Sequence, residues 1–178
     1  MRTLVVNSGE IAHMSHGDSS KPLIGGEMGD KDLNIYSEGL GILVDDGIIL
    51  SIRDSEDLIS EYAPSWDRNS EMIGDMNIID AKGGAIVPGF VDSHTHLIWD
   101  GDRSNEMALR QRGLSYSDIS KIGGGISKTV EATRSRSIQE LVDLGVQRAS
   151  NALRMGTTTM EAKSGYGLST ESELKLLE

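Results

Sequence analysis

The sequence contains no cysteine. That excludes a disulfide framework, a thiolate metal site and a thiol nucleophile, and it fits a cytoplasmic protein. Positive charge is scarce, with 17 Lys and Arg against 28 Asp and Glu and a formal net charge of −11. Nothing concentrates cations for a phosphate backbone or an anionic bilayer, so no nucleic-acid and no membrane partner is expected. No run approaches the roughly 18 apolar residues of a membrane span. The opening Met1-Arg2-Thr3-Leu4-Val5-Val6-Asn7 reaches a polar turn too early for a signal peptide. Internal repeats and low-complexity tracts are absent too. At 37% hydrophobic and 25% charged residues over 178, the chain has the composition to bury a core.

Residues 1–85 read as short strands and turns. Leu4-Val5-Val6 predicts a strand, and Ile42-Leu43-Val44 turns at Asp45-Asp46-Gly47 into an apolar run over 48–52, a hairpin signal. Ile78-Ile79-Asp80 before Lys82-Gly83-Gly84 predicts another strand and turn. Residues 13–41, rich in Gly, Ser and Asp, read as a long mobile loop in which His13 and His16 are solvated. A short helix is predicted over 54–63, ended by Pro64.

From Ile86 the texture changes. Ile86-Val87-Pro88-Gly89-Phe90-Val91 leads into Asp92-Ser93-His94-Thr95-His96 and reads as a strand buried on both faces, as in parallel sheets. Helices are predicted over 104–112, from Ser115 with Asp118 to the glycines at 123–125, and from the Ser137/Glu140 capping box to Gly156. The last carries Leu141, Val142, Val146, Ala149, Ala152 and Leu153 on one face. Thr157-Thr158-Thr159-Met160-Glu161-Ala162 follows as a second strand. This is the grammar of a parallel α/β fold. A complete (β/α)8 barrel needs about 250 residues, so the stretch from Pro88 holds about three of its eight units. At the end, Thr170 and Glu173 have capping-box spacing and Leu174 and Leu177 begin an apolar stripe that no Gly, Asn or Pro stops. A chain cut short is expected, with a natural terminus as the alternative.

His94 and His96 stand at i and i+2 on a predicted strand, which puts both imidazoles on one face at the strand's C-terminal end. Two imidazole nitrogens side by side are half of a typical zinc or iron(II) site, and the Pro-Gly-Phe-Val-Asp that precedes them favours that reading over two structural histidines. Glu161 and Lys163 alternate with Thr159, so that, if these positions face a barrel interior, an ion pair supporting the site is the first reading and a catalytic Lys163 the second. The 123–125 glycines lack the G-x-x-x-x-G-K spacing and a preceding strand, and read as a flexible loop near the site rather than a phosphate cradle.

Pro88-Gly89-Phe90-Val91-Asp92-Ser93-His94-Thr95-His96 resembles the opening barrel strand of the metal-dependent amidohydrolase superfamily. Within it, His96-Leu97-Ile98-Trp99-Asp100-Gly101-Asp102-Arg103, Gly123-Gly124-Gly125-Ile126 and Glu161-Ala162-Lys163-Ser164-Gly165-Tyr166-Gly167 resemble the imidazolonepropionase family. The resemblance runs over 78–178 and is weaker before that. It implies an α/β fold in which 1–85 form the N-terminal part of a small β-sandwich domain and 86–178 the first portion of a TIM-like barrel. It also implies hydrolysis of the ring amide of 4-imidazolone-5-propanoate to N-formimidoyl-L-glutamate, in histidine degradation. His94 and His96 would be two ligands of one zinc or iron ion. Arg103, on its own a solvated helix-start arginine, would bind the propanoate carboxylate. Tyr166, on its own a turn tyrosine, would bind substrate, as would Tyr116, which otherwise packs on Ile119. The family's other metal ligands and its acid/base group come from later strands, and no histidine follows His96, so no catalytic acid or base is assigned within the chain. A homodimer is expected at full length. The alternatives are another cyclic amidohydrolase or deaminase of the superfamily, or a non-catalytic fragment.

Overall fold

Alternation along the first strand points Leu4 and Val6 to the same side, and both are fully buried. Around them the first of two units, Met1–Pro88, is built; the second is Gly89–Glu178. The computed structural model describes residues 1–13 and 21–178, so His16 lies outside the described residues.

The first unit runs β1 (Arg2–Val6), β2 (Ile11–Ala12), a 3-10 turn at Gly25–Gly29, α1 (Lys31–Asn34), β3 (Ile35–Tyr36), β4 (Leu40–Asp45), β5 (Ile48–Asp54), α2 (Ser55–Tyr62), β6 (Met72–Ile73) and β7 (Met76–Asp80). Five strands form a mixed sheet in the order β5-β4-β1-β7-β6, with β1 and β7 parallel and the other pairs antiparallel. The β4–β5 hairpin is the one read from sequence. Asp46 and Gly47 take positive φ of 45° and 82°, the type I′ pattern that matches strand twist. The Asp54 carboxylate caps α2 by accepting from the Glu56 and Asp57 N–H groups. The helix then lays Leu58 and Ile59 on Leu4, Val6, Leu43, Met76 and Ile78.

Residues 13–41 are not one mobile loop where they are described. β2 pairs with β3, Asp30 caps α1, and the buried Asn34 amide donates to Glu27 and Asp30 carbonyls at 2.6 and 2.9 Å. His13 is half-buried rather than solvated: its ring stacks on Tyr36 at 4.0 Å. Local side-chain to backbone bonds order this polar stretch without an apolar pattern to announce them.

The second unit runs β8 (Phe90–Thr95), α3 (Glu106–Gln111), α4 (Tyr116–Lys121), α5 (Ile126–Ser135), α6 (Ile138–Arg154), β9 (Thr157–Ala162) and α7 (Thr170–Lys175). β8 and β9 are parallel, and both predicted capping boxes, Ser115/Asp118 and Ser137/Glu140, form. With the mixed sheet of the first unit this makes the chain α/β.

Three expectations change. The strand begins at Phe90, not Ile86, because Ile86 bonds back to Glu10 and Ala12 in the first unit. β8 is not buried on both faces, since Val91 is 70% exposed in a sheet that has two strands among the described residues. That narrow sheet also leaves Val142, Val146 and Leu153 of the α6 stripe exposed, while Leu141 is buried. The third concerns α7. Ser169, not Thr170, is its cap. The Glu173 carboxylate instead accepts from the Gly167 and Leu168 N–H groups at 3.0 and 2.6 Å.

Candidate active site

His94 is on β8 and His96 one residue past its end. The rings are 5.5 Å apart between centroids and nearly perpendicular, at 81°. The strand end is pinned by Asp92, whose carboxylate accepts from the His94 N–H at 3.0 Å and the Thr95 hydroxyl at 2.6 Å. Those bonds, the hydroxyl first, hold the carboxyl below its usual range. From the other side, the Lys163 N–H donates to the Thr95 carbonyl at 2.8 Å and ties the exit of β9 to the exit of β8.

Among the described residues neither imidazole makes a hydrogen bond, and Nδ1 of His96 is buried without a partner. A buried ring nitrogen left unpaired is costly unless something else takes it. Two imidazoles side by side suit one ion with M–N distances of about 2.0–2.1 Å. The described residues hold no group of three His, Cys, Asp or Glu placed for a metal, so the pair fits half of a coordination shell.

Gly165 closes over His96. A Cβ there would stand 2.6 Å from Cε1 and 2.9 Å from Nδ1 of the imidazole, and its φ of +147° is a conformation L side chains rarely adopt. The next residue, Tyr166, meets His96 edge-on at 5.2 Å and Trp99 at 5.9 Å. Trp99 is backed by Arg148 of α6, whose guanidinium lies 4.2 Å from the indole and donates to the Leu97 and Trp99 carbonyls at 2.9 and 2.7 Å.

Trp99 and Tyr166 face a cleft of about 340 Å³ that Arg103, Glu106, Arg110 and Thr129 also line. Arg103 donates through Nε to both Glu106 oxygens at 3.2 Å. Its side chain is 31% exposed, and among the described residues no hydrogen bond engages its two terminal nitrogens. Glu106, 4% exposed, also accepts the Gly125 N–H at 2.7 Å. That bond, first, and the Arg103 guanidinium hold its carboxyl below the usual range against the opposing effect of burial.

The geometry thus gathers His94, His96, Tyr166 and Arg103 through shared neighbours. Tyr116 is not among the cleft residues. It is 52% exposed, and its hydroxyl lies over Gly125, 3.3 Å from where a Cβ would be. Glu161 and Lys163 pair at 2.6 Å, half-exposed rather than enclosed. The 123–125 glycines are held by Glu106 instead of hanging free: a Cβ on Gly124 would stand 2.6 Å from Ile119 Cγ2 and 3.1 Å from Glu106 Oε1. Glu106 and Arg148 escape sequence reading, and Trp99 enters it within a quoted motif but is given no role. The one signal for Glu106 is its i, i+3 spacing from Arg103 across a helix start.

The amidohydrolase family model matches residues 77–157. The chain is 42% identical over 98% of its length to the imidazolonepropionase of Symbiobacterium thermophilum, covering 37% of that protein. It is 37% identical over 100% of its length to that of Geobacillus thermodenitrificans, covering 40%. Over 61% of its length it is 54% identical to that of Hahella chejuensis, covering 27%. Among solved structures, E. coli guanine deaminase aligns with 99% of the chain and 32% of its own at a TM-score of 0.49 and 18% identity. The chain is thus similar to the amidohydrolases over residues 77–157. Along nearly all of its length it is similar to imidazolonepropionases, and it spans about two fifths of the length of the two curated relatives matched that far.

Proposed function

We propose that these residues are the part of an imidazolonepropionase that holds the substrate's carboxylate and two of the metal ligands. Such an enzyme hydrolyses the ring amide of 4-imidazolone-5-propanoate to N-formimidoyl-L-glutamate. On this reading the second unit is the opening of a (β/α)8 barrel and the first is part of a sandwich domain. The parallel β8–β9 pair, joined through helices and carrying its histidines at the strand's C-terminal end, supports that placement.

The observation that carries the proposal is the position of Tyr166, in contact with His96 on one side and lining the Arg103 cleft on the other. A ligand with an anionic tail and a planar ring is matched by the pieces. The open terminal nitrogens of Arg103 take the carboxylate as a planar, bidentate fork. Trp99 offers a flat apolar face to the ring, and the Tyr166 phenol a polar tip beside it. His94 and His96 would hold zinc or iron. When bound, such an ion lowers the pKa of water and polarises a carbonyl oxygen.

The test is hydrolysis. A protein carrying these residues at the length of its relatives, supplied with zinc or iron(II), is expected to consume 4-imidazolone-5-propanoate and release N-formimidoyl-L-glutamate. Inertness toward it alongside turnover of another cyclic amide would overturn the assignment.

A further inference from the structure

Arg103 is fixed through one of its nitrogens, and the residue that fixes it is buried. A carboxylate as enclosed as Glu106 is rare unless it is paired and hydrogen-bonded. Here the pairing is split between two elements. One oxygen takes the Gly125 N–H at the start of α5, and both take Arg103 Nε–H. Gly124 is packed against the same oxygen.

Resting on the reading of Arg103 as the carboxylate grip, we infer that Glu106 is the positioning residue of that grip. It commits Nε and leaves the two terminal nitrogens open at the cleft. It also locks the guanidinium to the 123–125 loop, so the fork is aimed before a ligand arrives. The opposite case is that Glu106 is simply a negative charge beside an anion site. The surrounding charges speak against it. Arg110, one helical turn on, lines the same cleft and offsets Glu106. Asp102, the other acid there, is turned onto the Ser104 N–H and hydroxyl at 2.7 and 2.9 Å. Orientation and charge predict opposite signs: removing a competing charge tightens an anion, and removing an aiming bond loosens it.

The experiment uses the full 178-residue chain without added metal. Affinities for 3-(imidazol-4-yl)propanoate and for neutral 4-propylimidazole are measured by calorimetry, and the Arg103 Nε–H resonance is followed by 15N NMR. Glu106→Gln keeps the shape and one acceptor for Gly125. It is expected to weaken the carboxylate ligand about tenfold, leave the neutral ligand unchanged and expose the Arg103 Nε–H to rapid solvent exchange. Unchanged or tighter carboxylate binding in Glu106→Gln would overturn the inference. Should that variant fail to fold, the unsubstituted chain decides: an Arg103 Nε–H that exchanges as fast as a free arginine would also overturn it. Arg103→Ala separates the two layers. If it binds the carboxylate as well as the unsubstituted chain does, the grip itself is misassigned and the inference falls with it. If Arg103→Ala loses binding and Glu106→Gln does not, only the inference falls.

Discussion

Tyr166 stands edge-on to His96, with ring centroids 5.2 Å apart and planes 67° from parallel. One phenol therefore borders both the imidazole pair and the arginine cleft, and its two contributions separate by substitution. Tyr166→Phe keeps the ring contact and removes one neutral hydrogen bond, about 0.5–1.5 kcal/mol net. A loss of about 2- to 12-fold in kcat/KM with metal content unchanged is expected. Tyr166→Ala removes the ring as well and is expected to lower zinc affinity too. Equal effects of the two variants on metal retention would show that the ring contact does nothing for His96.

Gly165 is the tightest constraint on the imidazoles. In Gly165→Ala the new methyl meets the His96 ring, and overpacking of that kind costs about 1–3 kcal/mol. The ring must turn away, so weaker zinc binding in competition with a chelator and a lower Tm are expected together. A variant with the parent's zinc affinity would mean that His96 is not a ligand in its present orientation.

The metal pair makes its own prediction. His94→Ala and His96→Ala are each expected to abolish stoichiometric metal and activity in a protein of the relatives' length. The 178-residue chain by itself, with two proposed ligands and no group of three His, Cys, Asp or Glu placed for a metal among the described residues, is expected to bind zinc weakly and not to turn over imidazolonepropanoate. Metal analysis by plasma mass spectrometry after dialysis, run beside an absorbance assay, checks both. A full metal complement in either alanine variant contradicts the ligand assignment.

A fourth prediction concerns acid stability. Glu140 accepts from the Ser137 N–H and hydroxyl at 2.9 and 2.8 Å and from Arg136 at 2.6 Å. The backbone bond, first, and then the hydroxyl and guanidinium lower its carboxyl from 4.5 to about 2. A depressed folded-state value means the carboxylate stabilises the fold above about 4.5, and that this contribution disappears as pH falls toward about 2. Thermal unfolding of Glu140→Gln should therefore fall less steeply over that window than the parent. Parallel curves would show that the capping box adds nothing to pH dependence.

What the sequence made legible was local and periodic. The Asp46-Gly47 hairpin, the two capping boxes and the β-branched run at Thr157-Thr158-Thr159 each carry their instruction within a few residues, and the structure follows them. The His94/His96 pair was legible because period 2 needs no knowledge of the rest of the fold. Three things were not. Order in residues 21–41 comes from side-chain bonds such as those of Asp30 and Asn34, which composition hides. The exposure of Val91 and Val146 depends on how many strands flank β8, which an apolar run cannot state. Trp99, Glu106 and Arg148 acquire meaning only through contacts across the unit; Arg148 lies 51 residues beyond the Leu97 carbonyl it holds. The notch at Gly165 belongs with these, since a glycine between two loop residues reads as flexibility until the ring it faces is known.

The clamp of Arg148 on Trp99 has a thermodynamic consequence. An indole free to rotate would have to surrender that freedom each time a ring docked against it. Here a guanidinium on its face and two bonds to the flanking carbonyls have already immobilised it from the rigid side of α6. The entropy of ordering this wall is therefore charged to folding rather than to association, the condition described as preorganisation. Arg148→Met would preserve much of the aliphatic packing while releasing the loop. Its effect should appear as a more unfavourable binding entropy for planar ligands, at nearly constant heat.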